Sequence, residues 1–265
     1  QMYKIGEKSL TLSDISKILS EGIKIKLSQK SEKKVKECRK YLDEKIKNSE
    51  VPIYGVNTGF GSLCNHKISD EDLEQLQRNL VISHSCGTGE EVPQDIVKIM
   101  ILLKIQSISY GHSAVQLETI NRLIAMFNNN ILPVVFQLGS LGASGDLAPL
   151  AHMSLVLVGL GETYIPNKDG DFVKKDTSEV MKLMNWNPIH LKSKEGLALL
   201  NGTQFMAAYG VWSLLKSQKI SYLSDLIGTI SLEAFDGRNE CFDELIHLVR
   251  PHKGQLKTAE NIRDF

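Results

Sequence analysis

The stretch "GSLGASGDLAPLAHMSLVLVGLGE", Gly139 to Glu162, decides between two architectures. Gly139, Gly142 and Gly145 fall within seven residues, and Asp146 follows at once. A glycine loop feeding a helix N-terminus usually marks a phosphate site in a parallel α/β sheet. Here that reading is weak. A Walker-type loop needs Gly-Lys-Ser/Thr, whereas Gly145 is followed by Asp146 and Leu147, and a carboxylate repels an approaching anion. The preceding "ILPVVFQ" carries Pro133, so no strand clearly leads into the loop. Asp146 suits instead the N-cap of a following helix. Downstream, "LAPLAHMSLVLVGLG" is apolar on more than one face, as is "IMILLKIQSISY" from Ile99 to Tyr110. Helices of that kind sit inside a bundle or a subunit interface, so the chain is predicted to be mainly α.

Working outward, Thr11 with Asp14 makes a capping box before Ile15, Ile18 and Leu19, with Gly22 as the stop. "IKIKL" alternates like a short strand. In "KSEKKVKECRKYLDEKIK", Val35, Cys38, Leu42 and Ile46 lie at helical spacing, which predicts an amphipathic helix with a solvated basic face. Ser69 and Asp72 open a helix through Leu73, Leu76 and Leu80. Pro93 reads as the first residue of the next one, and Ser113 with Gln116 opens another that stops at "NNN". "PNKDGDFV" reads as a hairpin turn. The weak boundary lies near "SYGHSA". It divides a mixed α/β part, residues 1–110, from a long-helix part, residues 111–265.

Composition narrows the function. The 265 residues carry 31 basic and 31 acidic side chains, so there is no basic excess to neutralise nucleic acid. Cys38, Cys64, Cys86 and Cys241 are scattered and have no His at metal-ligand spacing, which speaks against a zinc site. No apolar run reaches membrane-spanning length, and "QMYKIGEKSL" lacks a signal-peptide core; a reducing cytoplasm fits.

A different use of the glycine loop lies in the tripeptide Ala143-Ser144-Gly145. A tight bend brings the Gly145 nitrogen toward the Ala143 carbonyl carbon, and glycine, lacking Cβ, suits the attacking position. Ring closure with loss of water, and loss of a second water from Ser144, would leave an imidazolone bearing an exocyclic methylene. That group is a strong electrophile made without an imported cofactor.

Four separated blocks then carry a resemblance: "YGVNTGFG" (Tyr54–Gly61), "LQRNLVISHSCGTGE" (Leu76–Glu90), the glycine loop and its helix, and "KEGLALLNGTQ" (Lys194–Gln204). In this order they resemble the aromatic amino acid ammonia-lyases, from about "LTLSDI" to the last residue. The resemblance implies a long-helix bundle of the ammonia-lyase/fumarase-like superfamily. It also implies 4-methylideneimidazole-5-one (MIO) built from Ala143-Ser144-Gly145, with no external cofactor and no metal. The implied chemistry is non-oxidative loss of ammonia from an α-amino acid by covalent catalysis. Attachment through the substrate amine and attack by its aromatic ring are both compatible with it.

The resemblance also assigns roles. Tyr54 is the candidate general base for the β-proton. A phenol ordinarily ionises at about pH 10, so this work near neutrality requires surroundings that favour the phenolate. Asn201 would bind the substrate amine or carboxylate, with Gln204 supporting it from one turn on. Backbone at Gly61 would line the pocket. His84 matches members acting on histidine or tyrosine, since an imidazole can pair with a polar ring edge where an apolar residue leaves it unpaired. The match to the histidine-specific members favours L-histidine as substrate and urocanate as product; a tyrosine lyase or aminomutase is the alternative. By residue type alone, Tyr54 would be a packed turn residue, Asn201 a helix end and His84 a satisfied helix terminus.

Family members run to roughly double this length. A tyrosine-and-arginine block and a ring-contacting residue are therefore expected beyond "TAENIRDF". A fragment would expose apolar helix faces and be inactive alone; an uncyclised loop is the alternative to the MIO reading. The resemblance implies a homotetramer for the full-length protein.

Overall fold

The computed structural model describes residues 2–48, 51–60, 68–69 and 72–265. Gly61, and with it the expectation that its backbone lines a pocket, lies outside the described residues. At the N-terminus β1 (Tyr3–Ile5) pairs in parallel with β2 (Ile25–Leu27), Ile5 standing opposite Leu27. The crossover is α1 (Leu12–Ser20), whose start carries the capping box. The Asp14 N–H donates to Thr11 Oγ1 and the Thr11 N–H to Asp14 Oδ2, each at 3.1 Å. Thr11's hydroxyl and amide, with Lys8, hold the Asp14 carboxyl down at about 2. Gly22, at φ +62°, takes the left-handed position that ends the helix.

Next, α2 (Gln29–Lys47) buries Val35 and Leu42 and packs Cys38 and Ile46 partly beneath them, as the spacing predicts. Its lysines face solvent, but the same buried stripe includes Arg39. After α3 (Leu73–His84) and β3 (Thr88–Glu91), α4 (Gln94–Ser109) forms the middle of the core. Eleven of its 16 residues are buried, and it packs on α2, β1, α5 (Leu117–Asn128) and β4 (Leu132–Pro133). Each large apolar side chain removed from water there contributes about 1.5–3 kcal/mol. Pro93 is the N-cap of α4 rather than its first residue, because its ψ of 138° is extended. Gln116 caps α5 by position only, its side chain being drawn away to Glu195.

Short strands do lead into the glycine loop. β4 pairs with one edge of the hairpin β8 (Glu162–Pro166) and β9 (Phe172–Asp176), and β5 (Phe136–Leu138) pairs antiparallel with β3. Pro133 is tolerated because β4 has one strand neighbour, leaving its other side without a ladder. These pairings are antiparallel, unlike the parallel sheet a dinucleotide loop requires. β6 (Leu141–Gly142) and β7 (Gly145–Asp146) make the loop itself a minimal hairpin. Thereafter come α6 (Ala148–Leu155), a 3₁₀ turn at Val156–Val158, α7 (Thr177–Met184), α8 (Glu195–Leu200) and the 31-residue α9 (Gln204–Ala234). The N-cap of α6 is Leu147. Asp146, read as the cap, sits one residue earlier yet still accepts the Ala148 N–H at 3.0 Å.

Contacts group the chain into Gln1–Val211 and Trp212–Phe265. Within the second unit, α10 (Glu244–Leu248) packs on α11 (Lys253–Asp264), and Asn261 donates to Asp225 at 2.7 Å. Ile227, Ile230, Phe235 and Leu245 of that unit are exposed. The chain is mainly helical with small sheets, as its apolar helices predict.

Candidate active site

A cavity of about 470 Å³ in the first unit is lined by Tyr54, His84, Ala143, Ser144, Gly145 and Asn201. These belong to four segments far apart in sequence. Phe60, Leu80, Leu147, Leu197 and Leu200 supply its apolar wall, and Ser83 and Cys86 add polar edges. The size suits a small-molecule site.

Tyr54 sits on a tight turn. The N–H groups of Val56 and Asn57 donate to Ile53 O at 3.0 and 3.2 Å, and the Ile53 N–H donates to Asn57 Oδ1 at 2.6 Å. Val56, Asn57 and Thr58 are buried, so the turn is anchored while the Tyr54 ring remains 58% exposed. That ring meets Phe60 edge-to-face, 6.1 Å between centroids. Gly55 takes φ +70°, a conformation that favours glycine, and an added Cβ would lie 2.6 Å from Leu197 Cδ2, which would have to shift.

His84 ends α3, with its Nδ1 2.9 Å from the Leu80 carbonyl. A carbonyl can only accept, so Nδ1 carries the proton, and in the neutral ring Nε2 is an acceptor. Buried His152, on α6, accepts the Gly87 N–H through Nε2 at 3.0 Å and packs edge-on against Phe136. Burial pushes its pKa down, which keeps this acceptor unprotonated. The contact pins the chain just after Cys86.

In the glycine loop, Gly142 stands opposite Gly145, leaving Ala143 and Ser144 as the two corner residues. Gly145 has φ +80°, and a Cβ added at Gly142 or Gly145 would meet nothing within 4 Å. Gly139 is different: a Cβ there would lie 2.0 Å from Asp146 Oδ1. That oxygen also accepts the N–H groups of Ser140 at 3.2 Å and Ala148 at 3.0 Å. Asp146 therefore closes the base of the loop and leaves its corner open to the cavity.

Asn201 is the C-cap of α8, and both its N–H and its Nδ2 donate to Leu197 O, at 3.1 and 3.2 Å. No described residue donates to its Oδ1. The position of α8 is set by buried polar ties that no local pattern announces. Glu195 accepts from the Gln116 N–H (2.7 Å), Gln116 Nε2 (2.6 Å), Thr119 Oγ1 (2.7 Å) and the Lys192 N–H (2.8 Å). The Gly196 N–H donates to Gln77 Oε1 at 2.9 Å, and Arg39 donates to the carbonyls of Ala114 and Ser193 at 2.8 Å. At the far end, Lys104 Nζ donates to Asn201 O at 3.0 Å. Gln204 is not among the cavity-lining residues; it begins α9, and its Oε1 is buried with no partner among the described residues.

In this mainly helical chain a phenol, an imidazole, an amide and a glycine-flanked Ala-Ser-Gly corner converge on one cavity. The chain belongs to the aromatic amino acid lyase family, whose profile matches residues 10–265. It is 43% identical over 263 residues to histidine ammonia-lyase 2 of Fusobacterium nucleatum subsp. nucleatum, covering 99% of this chain and 50% of that protein. Among solved structures it is similar to histidine ammonia-lyase from Trypanosoma cruzi, with TM-score 0.89, 32% identity, and coverage of 99% of this chain and 50% of that one. Tyrosine aminomutase from Streptomyces globisporus is as close in fold, with TM-score 0.89, 31% identity, and coverage of 100% and 49%. The chain spans about half the length of the curated relatives it matches.

Proposed function

We propose that this chain carries one part of the active site of an enzyme that eliminates ammonia from L-histidine to give urocanate. The observation that carries the reading is the convergence of Tyr54, His84, Asn201 and the Ala143–Gly145 corner on one cavity. Relatives named histidine ammonia-lyase, 40–43% identical across nearly the whole chain, support the choice of substrate.

The corner fits the MIO group. Ala143, Ser144 and Gly145 would hold it as the residues from which it forms, and the space around Gly142 and Gly145 leaves room for the backbone to tighten. Once formed, it supplies the electrophile that makes the departing nitrogen a better leaving group. The other residues move and hold protons. Tyr54 is the base that takes the β-proton; the C–H electron pair becomes the Cα=Cβ bond as the C–N pair leaves with nitrogen. Asn201 Oδ1, free of described donors, accepts an N–H of the substrate amine. His84 Nε2, an acceptor because Nδ1 is committed to Leu80 O, takes the N–H of the substrate imidazole. Phe60, Leu80, Leu197 and Leu200 limit water around the reacting carbon.

Gly61 and Gln204 keep supporting roles in this reading, Gly61 by backbone and Gln204 behind Asn201. In this reading the complete protein works as a homotetramer in the cytoplasm. A second reading, tyrosine lyase or aminomutase, draws on the solved tyrosine aminomutase fold. In a third, the loop stays uncyclised and the chain is inert.

Intact mass and product analysis test the proposal on the protein at its full natural length. The mass should fall short of the sequence by two waters, and L-histidine should yield urocanate. Ser144→Ala should abolish both the mass loss and turnover. An unmodified mass removes the electrophile, and coumarate without urocanate transfers the site to tyrosine.

A further inference from the structure

The helix α4 is apolar almost throughout, yet its Lys104 is 1% exposed. No carboxylate among the described residues pairs with it, and burial alone pulls its pKa down to about 7. Leucine or methionine would fill the same space without desolvating an amine. The one described partner of Nζ is the carbonyl of Asn201, 97 residues away in sequence and 3.0 Å away in space.

Asn201 has few other restraints. Its N–H and its Nδ2 share a single acceptor, Leu197 O, inside its own helix. Gly202 follows at φ +148°, so the chain beyond can turn where other residues would not. Lys104 is thus the described tie that reaches Asn201 from outside α8. We infer that Lys104 is a positioning residue: by holding the Asn201 carbonyl, it fixes where the Asn201 amide stands in the cavity wall. The inference rests on the reading that Asn201 meets the substrate.

The test is a double-mutant cycle in the protein at its full natural length, using Lys104→Met, Asn201→Ala and the pair. Lys104→Met should keep the two-water mass loss and the melting temperature, and lower kcat/KM for L-histidine by about 10- to 100-fold, as misplacing a binding group does. In the Asn201→Ala background the same change should cost less than about threefold, because the two act as one unit. Hydrogen exchange at the Asn201 amide should quicken at least about tenfold in Lys104→Met. A loss within threefold in the native background, or an equal loss with and without Asn201, overturns the inference. If the native protein deaminates no amino acid, the functional reading falls separately. Exchange at Asn201 then decides, and unchanged protection overturns the role of Lys104. Lys104→Gln, which still offers a donor, takes over if Met at 104 does not fold. Failure of both variants to fold makes Lys104 a folding residue and likewise overturns the assignment.

Discussion

Replacing Lys104 by Met should flatten the pH dependence of stability between pH 7 and about 10. In the folded chain the buried amine titrates at about 7, against an ordinary lysine value of 10.5. Between those values the unfolded chain binds a proton that the folded chain does not, so stability rises with pH across that window. Below pH 7 both states are protonated and the cost is constant. At 1.36 kcal/mol for each pH unit between the two values, holding the amine buried costs about 4 kcal/mol at pH 7 and about 1.5 kcal/mol at pH 9.5. Relative to Lys104→Met, the native chain should therefore gain about 3 kcal/mol between pH 7 and pH 9.5. Urea denaturation followed by circular dichroism at both pH values measures it. Every other titrating group is common to the two proteins and cancels in the comparison. At pH 7 the substitution also loses the hydrogen bond to Asn201 O, worth about 1.5–3 kcal/mol, against the relieved desolvation of about 4. The variant should be as stable as the native chain or slightly more so. Parallel pH profiles for the two proteins would refute the argument, because Lys104 would then titrate like a solvated lysine.

Two further changes address the site and its support. Tyr54→Phe should lower kcat by about 10²- to 10⁴-fold with KM nearly unchanged, since it removes a proton acceptor but keeps the ring packed on Phe60; steady-state kinetics checks this, and a change confined to KM would make Tyr54 a binding group. Glu195→Gln places an amide where one carboxylate accepts four donors, so it should cost about 2–4 kcal/mol, read as a lower urea midpoint at unchanged slope.

Local chemistry was legible wherever cause and effect lie within one turn. Thr11 and Asp14 satisfy each other's groups three residues apart, so the start of α1 could be read directly. Val35 and Leu42 of α2 fell to the buried side by spacing alone. Tyr54, His84 and Asn201 could be singled out only because the blocks that hold them resemble those of the aromatic amino acid ammonia-lyases; by residue type alone they read as a packed turn and two helix ends. Arg39 was absorbed into a basic face, although it lies in the buried stripe and ties α2 to Ala114 and Ser193. Asp146 was placed one residue too far into the helix, since whether a carboxylate caps from the N-cap or just before it depends on the loop's own hairpin. Gln204 starts a new helix and does not line the cavity, so any part it plays at the site is support behind Asn201.

By itself, then, the sequence determined a helical chain, a loop built to bend at Ala143-Ser144-Gly145, and the residue types able to do proton and amine chemistry. Those follow from backbone freedom, apolar periodicity and functional groups, all of which act over a few neighbouring residues. Only the tertiary structure decided that Tyr54, His84 and Asn201 share one cavity with that loop, and that Lys104, Glu195 and Gln77 hold α8 beneath it. A buried polar group is chosen by the partner that relieves its desolvation, and here those partners stand 76 to 119 residues away, beyond the reach of any local pattern.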